Sequence, residues 1–357
     1  MELRTFLNWR CQWWSVLVRG REEFLGSRST EWRSVACGGR LIVTSFRGEG
    51  RWSAEDEFLE RSLQGTSRTF ALAIPLLSDE RRRQVGLTYL LFRVADSIED
   101  AERLRADGKI RLLSVFRQLL SDVAPNDGGE PATAVSSETE FSGLWPAGSA
   151  VEELMCAVPR LLSLYRHLPS DVTAIIRSSL FRTIDGMSAF LGSAADGDRQ
   201  ICLETTADLR LYCYSVAGIV GELLTDLFVH QHHVPTSVQR ELRQLAVGFG
   251  EFLQLINILK DSEDDALGGR TFIPLGMSRA DVFALADQSH AESVRYLSLL
   301  DEFEFPADIE AFCKFIFLLA EGSLSVLRSP GAGRKLSRED VQRILLQVRA
   351  GAERRTA

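Results

Sequence analysis

The sequence is short of the features that mark membrane-spanning and nucleic-acid-binding proteins. Across 357 residues, no unbroken apolar run approaches the ~18 to 20 residues of a membrane span. Basic charge is also in deficit, with 41 Lys and Arg against 49 Asp and Glu, and the formal net charge is −8. Such a chain has no basic field to attract a phosphate backbone, so we expect no nucleic acid as a partner.

Cysteines at metal-binding or disulfide-framework spacing are also missing. The six cysteines contain no CxxC motif: Cys11, Cys37, Cys156, Cys202, Cys213 and Cys313. We expect buried free thiols in a reducing compartment rather than disulfides or a zinc site. The prediction is a cytoplasmic protein without a transmembrane segment, and peripheral contact with a membrane through an apolar surface is left open. No pattern indicates an oligomeric state.

No strand-like alternation is long enough to build a sheet, and helical periodicity begins at Ala54. Breaks in the helical pattern coincide with Gly, Pro and Asp clusters, as turn chemistry requires. The predicted helices cover 54–64, 79–106, 109–122, 150–167, 170–192, 205–231, 236–264, 279–303, 307–327 and 337–350. The sequence therefore predicts an all-α fold, with one large helical domain over residues 53–350.

Two segments differ from this helical pattern. Residues 1–52 combine tryptophans, arginines and glycine clusters without a sustained period. We interpret them as a poorly ordered N-terminal extension; the alternative is an interfacial anchor in which aromatic and basic residues meet a membrane surface. Residues 123–148 are rich in Gly, Pro, Ser, Thr and Glu, which predicts a flexible surface loop.

An acidic cluster, Asp96-Ser-Ile-Glu-Asp100, ends one helical stretch. Tyr89, Arg93, Asp96 and Asp100 recur at steps of three and four residues, so they form one stripe on a helix. Carboxylates at i and i+4 lie ~6 Å apart along the helix axis, where they can bridge a hard cation but repel each other without one. The alternative is a surface helix with an Arg–Asp pair.

A second stripe begins within the largely apolar stretch 249–255, at steps of three, four and four: Gln254, Asn257, Asp261 and Asp265. Mg²⁺ takes oxygen ligands in a near-octahedral array, a few from carboxylates and the rest from water and substrate phosphate. Mn²⁺ is the alternative metal. A Ca²⁺ loop is excluded, because the acidic turn lacks glycine at the sixth loop position. Two such faces, opposed across a bundle, would form a cage for Mg²⁺ and a diphosphate.

Four stretches between about Ser62 and Pro274 resemble motifs of the squalene/phytoene synthase family. They are Thr66-Ser-Arg-Thr-Phe70, Tyr89-xxx-Arg93-xx-Asp96-Ser-Ile-Glu-Asp100, Tyr212-Cys-Tyr-Ser-Val-Ala-Gly-Ile-Val-Gly221, and Gln254-xx-Asn257-Ile-Leu-Lys-Asp261-xxx-Asp265 with Gly268-Gly-Arg-Thr-Phe-Ile-Pro274. The resemblance implies an isoprenoid-synthase bundle with a central active-site cavity. It also implies a prenyltransferase that joins two prenyl diphosphates head to head, first to a cyclopropyl diphosphate and then to a linear hydrocarbon.

The resemblance assigns roles to the residues that match these motifs. The implied catalytic residues are Tyr89, Arg93 and Tyr212. The implied metal ligands are Asp96, Asp100, Asn257, Asp261 and Asp265. The implied substrate-binding residues are Ser67, Thr69, Phe70, Arg93, Gln254, Asn257, Lys260 and Arg270. Lys260 stands where the family usually has Arg, which keeps the charge but loses bidentate phosphate geometry.

The residue types fit this chemistry. Mg²⁺ held by the aspartates could neutralise the leaving diphosphate, and Arg93 and Arg270 could donate charge-assisted hydrogen bonds to it. An allylic carbocation would need a water-free pocket with aromatic faces, for which the candidates are Phe70, Phe92, Tyr212 and Phe252. The small residues Gly186, Ala189, Gly218 and Gly221 permit either a channel for a prenyl tail or close helix packing.

The motifs are closer to those of squalene synthases, which implies farnesyl diphosphate as substrate and presqualene diphosphate, then squalene or dehydrosqualene, as products. NADPH would be required only for squalene. One alternative is a phytoene synthase that uses geranylgeranyl diphosphate. Two others are a catalytically silent relative that acts as a binding or assembly factor, and a terpene cyclase or chain-elongating synthase. The early Ser67 motif and the Tyr212 helix favour the head-to-head family over that last alternative.

Overall fold

The computed structural model describes residues 53–123, 141, 143–193, 202–267, 270–329 and 335–356. The predicted extension at 1–52 and most of the predicted loop at 123–148 lie outside the described residues. The end of that loop is packed on the bundle. Trp145 is buried, and its indole Nε1 donates a hydrogen bond to the Ser97 carbonyl oxygen at 3.3 Å.

Helices supply nearly all the regular structure of the described residues. The α-helices are α1 Ala54–Thr66, α2 Phe70–Ala73, α3 Asp79–Glu99, α4 Ala106–Asp122, α5 Ala150–Cys156, α6 Val158–Arg166, α7 Ser170–Ser193, α8 Thr206–Cys213, α9 Ile219–Gln231, α10 Thr236–Leu267, α11 Arg279–Glu302, α12 Ala307–Arg328 and α13 Arg338–Thr356. A 3₁₀ turn at Ile74–Leu76 follows α2, and a π turn at Tyr214–Gly218 joins α8 to α9. Within the described ranges the sole β contact is an isolated bridge between Cys202 and Thr271. The predicted all-α fold is confirmed.

Capping and proline positions set several helix ends. Ser53 begins α1 with a capping box, in which its hydroxyl accepts from the Asp56 amide and the Asp56 carboxylate accepts from the Ser53 amide. The predicted helix 150–167 is divided at Ala157. Pro159 stands in the first turn of α6, where it lacks the amide that a continuous helix would need as a donor.

The predicted helix 79–106 ends earlier, at Glu99. Its last turn is acidic, and negative charge is unfavourable at the carbonyl end of a helix dipole. Lys109 compensates at this end, because its ammonium group donates to the Glu99 carbonyl oxygen at 2.5 Å. The second acidic stripe has the same placement, in the last turns of α10.

The main packing contacts close the helices into a ring. Helix α3 packs on α7, which packs on α9 and the π turn, and these pack on α10. On the other side, α10 packs on α12, and α12 packs on α2 and the 3₁₀ turn, which return the chain to α3. The two helices with acidic stripes are therefore separated by other helices in both directions around the ring.

Glycines allow unusually close contact around the π turn. A Cβ atom on Gly221 would lie 2.2 Å from the Ala246 carbonyl oxygen, and one on Gly250 would lie 2.5 Å from the Ala217 carbonyl oxygen. A Cβ on Gly186 would lie 2.9 Å from the Ser215 side chain. Close helix packing, and not an open channel for a prenyl tail, therefore explains Gly186 and Gly221, because neighbouring atoms already occupy the space beside their Cα atoms.

One described helical stretch, Thr206–Gln231, is long and apolar enough to cross a membrane by length and composition. The search of the sequence for unbroken apolar runs did not find this stretch, because polar residues interrupt it. Of its apolar window, 61% is buried inside the bundle, which is typical of a core helix.

The cysteines agree only partly with the sequence prediction. Cys213 and Cys313 are buried free thiols, whereas Cys156 and Cys202 are free but exposed. The exposure of these two was not predictable from cysteine spacing. Cys11 and Cys37 lie outside the described residues.

Candidate active site

The first acidic stripe occupies the last turns of α3. Asp96 and Glu99 are buried, and Arg93 and Asp100 are partly buried. Asp100 caps the helix, and its amide donates to the Asp96 carbonyl oxygen at 2.9 Å. The carboxylates of Asp96 and Asp100 therefore add to the negative end of a helix dipole, a position that favours a cation.

Tyr89 connects this stripe to the early Ser-containing motif. Its hydroxyl donates to the Thr66 carbonyl oxygen at 3.0 Å, and its ring stacks on Phe70 with centroids 5.9 Å apart. Burial raises the pKa of Tyr89 to about 12, so the phenol stays protonated at neutral pH. Ser67 is buried, and its Oγ accepts from the Phe70 amide at 2.9 Å. The early motif and the Tyr89 end of the stripe are thus in contact.

The second stripe is more deeply buried. Gln254, Asn257, Asp261 and Asp265 are between 1% and 7% exposed, and burial of amide and carboxylate side chains is costly unless they bind something. The helix that carries this stripe, α10, packs on both α11 and α12. Asp264, by contrast, is exposed and lies off the stripe.

Lys260 and Asp261 form a buried ion pair within this stripe. Lys260 Nζ lies 3.2 Å from Asp261 Oδ2 and donates to Asn257 Oδ1 at 3.1 Å. Burial lowers the pKa of Lys260 and raises the pKa of Asp261, and the attraction between the two charges offsets each shift only in part. The ammonium group is therefore held by its own helix, and its predicted contact with phosphate stays a prediction.

Arg270 closes the end of α10. Its Nε and Nη2 donate to Asp265 Oδ1 at 3.2 and 3.0 Å, and its amide donates to the Asp265 carbonyl oxygen at 2.9 Å. The neighbouring Thr271 carbonyl oxygen accepts from the Leu203 amide at 2.9 Å. This bond joins the segment after α10 to the residues that immediately precede α8.

Tyr212 lies where α8, α7 and this segment meet. Its ring is 4.9 Å from the Phe272 ring and 5.5 Å from the Phe190 ring, measured between centroids. Tyr212 is 8% exposed, so its ring is enclosed by apolar and aromatic neighbours. The structure thus brings Tyr212 close to the segment of Arg270 through the Phe272 ring.

A divalent metal fits the second stripe. Asp261 Oδ1 and Gln254 Oε1 are buried oxygen atoms that accept no hydrogen bond from any described residue. Buried acceptors of this kind are costly without a ligand, and oxygen is the donor that Mg²⁺ prefers. Across the described ranges, however, no three His, Cys, Asp or Glu side chains converge closely enough to hold an ion by themselves.

Two polar features near the site were missed in the sequence. The charge of Lys335 acts to lower the pKa of Asp261, although the two residues are 74 positions apart (335 − 261). Glu251 is buried one turn before Gln254, where the Ser289 hydroxyl donates to it at 3.1 Å and burial raises its pKa. Neither residue belongs to a motif. Glu251 lies on α10 itself, three residues before Gln254, whereas only tertiary packing brings Lys335 to the site.

The chain is similar to known squalene synthases along most of its helical domain. The sequence profile of the squalene/phytoene synthase family matches residues 63–331. Squalene synthase ERG9 of Candida albicans is 31% identical over 229 residues, which is 63% of this chain and 47% of that protein. Squalene synthase ERG9 of Saccharomyces cerevisiae is 31% identical over 211 residues, 58% of this chain and 43% of that protein. The chain thus spans about half the length of the curated relatives it matches.

Solved structures give the same result for the fold. The complex of TcSQS with the ligand BPH1237 matches with a TM-score of 0.68 and 25% identity, covering 83% of this chain and 86% of that one. A dehydrosqualene synthase in complex with a ligand has a TM-score of 0.55 at 21% identity, covering 84% of this chain and 96% of that one, and supports the fold alone. With a family profile that matches three quarters of its length and the four motifs in place, this chain belongs to the squalene/phytoene synthase family.

Proposed function

We propose that the protein condenses two prenyl diphosphates head to head, forming a cyclopropyl diphosphate and then a linear hydrocarbon. One observation carries the proposal: in a member of this family, Asp96 and the second stripe lie buried toward the carbonyl ends of their helices, and Asp100 is partly buried at the end of α3. Buried carboxylates at the negative end of a dipole destabilise a fold unless a cation joins them. The arrangement is suited to a metal that carries diphosphate.

The proposed cofactor is Mg²⁺, with Mn²⁺ as a substitute. The side chains that would hold it are Asp96, Asp100, Asn257, Asp261 and Asp265. When bound, the ion would neutralise the diphosphate and make it a better leaving group. Water and diphosphate oxygens would complete the coordination.

The remaining residues would bind the diphosphate and exclude water. Arg93 and Arg270 would donate charge-assisted hydrogen bonds to phosphate oxygens, and Ser67 and Thr69 would add hydroxyl contacts. Lys260 holds Asn257 and Asp261 in place and contributes positive charge at the same point. Gln254 presents a buried amide oxygen for a water or substrate contact.

The aromatic residues would serve the carbocation that forms when diphosphate leaves. Phe70 is buried against Tyr89, and Tyr212 is enclosed by Phe190 and Phe272. Aromatic faces stabilise a cation, and a dry environment prevents its capture by water. The protonated phenol of Tyr89 can act as a hydrogen-bond donor at neutral pH. Tyr212 is proposed as the second catalytic phenol.

The proposed substrate is farnesyl diphosphate, because the motifs are closer to those of squalene synthases. Squalene would require a hydride donor such as NADPH, whereas dehydrosqualene would not. Geranylgeranyl diphosphate and a phytoene product form the alternative.

We further propose that the protein is cytoplasmic and touches membranes only peripherally. Leu267 and Leu275, each 81% exposed, flank the segment of Arg270 and present apolar surface beside the site. Co-sedimentation with lipid vesicles tests this proposal. Leu275→Glu should reduce the bound fraction, and equal binding of both forms would contradict it.

The experiment for the reaction is incubation of purified protein with labelled farnesyl and geranylgeranyl diphosphates, with Mg²⁺, with and without NADPH, followed by hydrocarbon analysis. Hydrocarbon from either substrate supports the proposal, and its identity fixes the chain length and the need for reduction. Asp100→Asn and Asp261→Asn should each abolish turnover while the helical circular dichroism is unchanged. Absence of both hydrocarbon and cyclopropyl diphosphate would instead favour a silent family member that acts in binding or assembly.

A further inference from the structure

The helix that carries Tyr212 contains a π turn. Within Tyr214–Gly218 the Ile219 amide donates to the Tyr214 carbonyl oxygen, a step of five residues instead of four. One extra residue in a helix rotates the residues before it by about 100° relative to the residues after it, because an α-helix has 3.6 residues per turn. The direction of Tyr212, two residues before the turn, therefore depends on whether the π turn forms.

Helix α7 contacts this turn on its buried side. Thr183 is 1% exposed, and its hydroxyl donates to the Ser215 carbonyl oxygen at 3.1 Å. The Ser215 hydroxyl in turn donates to the Leu211 carbonyl oxygen at 2.9 Å. The Leu211 carbonyl oxygen also accepts from the Tyr214 amide, so the Ser215 bond is an ordinary contact within one helix. The Thr183 hydroxyl, by contrast, brings a donor from another helix to a carbonyl group of the irregular turn.

Two neighbouring helices also fix the turn by close packing. Gly186 of α7 faces Ser215 so closely that a Cβ would be 2.9 Å from its side chain. On the opposite side, a Cβ on Gly250 of α10 would be 2.5 Å from the Ala217 carbonyl oxygen. The turn is therefore enclosed between α7 and α10, and α10 is the helix of the second acidic stripe.

The exposed side of the turn is bridged as well. Arg182, which precedes Thr183, donates to the Glu222 carboxylate at 2.7 Å and also contacts the Tyr214 hydroxyl. Tyr214 begins the π turn, and Glu222 lies one turn after it. Consecutive residues of α7 thus hold the turn from inside and outside.

We propose that Thr183 is a positioning residue for the reaction, and that its hydrogen bond to the Ser215 carbonyl holds the π turn that directs Tyr212 between Phe190 and Phe272. The expected effect on turnover rests on the proposed function, whereas the expected effect on the π turn is independent of it. Thr183 matches none of the sequence motifs and does not touch the reacting atoms. Its effect passes through one backbone carbonyl.

The test compares four full-length proteins: wild type, Thr183→Val, Thr183→Ser and Thr173→Val. Valine has the shape of threonine without its donor, and serine keeps the donor. Thr173 is the matched control, since it is a buried threonine of the same helix whose hydroxyl donates to the Ser170 carbonyl oxygen at 2.8 Å. It is ten residues from Thr183, about 15 Å along the helix.

With labelled farnesyl diphosphate and Mg²⁺, Thr183→Val should lower kcat about tenfold and leave KM within about twofold, because the acidic stripes are unchanged. Thr183→Ser should recover most of the wild-type kcat, and Thr173→Val should behave as wild type. A wild-type kcat in Thr183→Val, or a kcat in Thr183→Ser as low as that in Thr183→Val, would overturn the inference.

Hydrogen–deuterium exchange gives a readout that does not require activity. Amides of the segment 209–220 should exchange several-fold faster in Thr183→Val than in wild type, Thr183→Ser and Thr173→Val. If wild type forms no product from any prenyl diphosphate, the proposed function fails and exchange alone decides the role of Thr183. Equal exchange in all four proteins would then overturn it. Proteins that fail to fold are identified by circular dichroism, and Thr183→Ala provides a second donor-free variant.

Discussion

Replacement of Lys260 by methionine tests the electrostatics of the second stripe. The side chains of Lys260 and Asp261 are each 1% exposed, and Nζ and Oδ2 are 3.2 Å apart. Methionine keeps an unbranched chain but removes the positive charge, which leaves the Asp261 carboxylate buried beside Asn257. Breaking one side of a buried ion pair costs about 3 to 5 kcal/mol. In a chain of this size, a loss of about 3 kcal/mol lowers Tm by about 4 °C.

Metal and pH should change this loss in defined directions. Mg²⁺ with pyrophosphate should stabilise Lys260→Met more than wild type, because the metal replaces the missing ammonium charge. Burial raises the pKa of Asp261 in the folded state. The buried carboxylate therefore destabilises the fold fully above the folded pKa, and this destabilisation disappears as pH falls from the folded pKa to the pKa of the unfolded chain. The deficit of Lys260→Met should therefore shrink as pH falls.

Thermal unfolding at several pH values, with and without Mg²⁺ and pyrophosphate, measures these effects. Lys260→Arg is the control that keeps the charge. The double variant Lys260→Met with Asp261→Asn should be more stable than the sum of its single losses, since it leaves no unpaired charge. The reasoning is refuted if Lys260→Met unfolds at the wild-type temperature and responds to Mg²⁺ and pyrophosphate as wild type does.

Three further outcomes are expected. Tyr212→Phe should lower turnover about a hundredfold, with little change in pyrophosphate binding by calorimetry. Asp308→Asn should cost about 2 kcal/mol in urea unfolding at neutral pH, because Asp308 accepts two Arg81 hydrogen bonds at 2.8 and 2.9 Å. Burial acts to raise the Asp308 pKa, but these bonds lower it overall, so the difference should vanish as pH falls through the folded pKa below 3.8. Gly250→Ala should destabilise by about 2 kcal/mol in the same assay, whereas Gly192→Ala, which meets open space, should not.

Periodicity and motif spacing were sufficient for most of the helices, although not for the short helix α2, and they placed both stripes on helices. Asp96 and Asp261 are buried on their helices at the positions that steps of three and four residues predict. Those steps are local properties of a helix and need no knowledge of its neighbours. The helix ends were harder, because the period contains neither the single contact that Lys109 makes nor the amide that Pro159 lacks.

Contacts between distant helices could not be derived in this way. One contact within a helix was missed as well: the Lys260 ammonium group is bound by Asn257 and Asp261, although the motif indicated only a substitute for a phosphate-binding arginine. The π turn is equally hidden, since its sequence reads as part of an unbroken helix from 205 to 231. Its formation depends on Gly186, Thr183 and Gly250, which lie on two other helices. Such packing becomes visible only once the helices are assembled.

The most direct test of the central claim is calorimetric binding of pyrophosphate in the presence of Mg²⁺. The claim is that the stripes on α3 and α10 hold one metal–diphosphate group together. Asp100→Asn and Asp261→Asn should each weaken binding about tenfold or more, while Asp122→Asn, at an exposed position on α4, should bind as wild type. Wild-type affinity in both stripe variants would show that the two acidic faces are not the binding site.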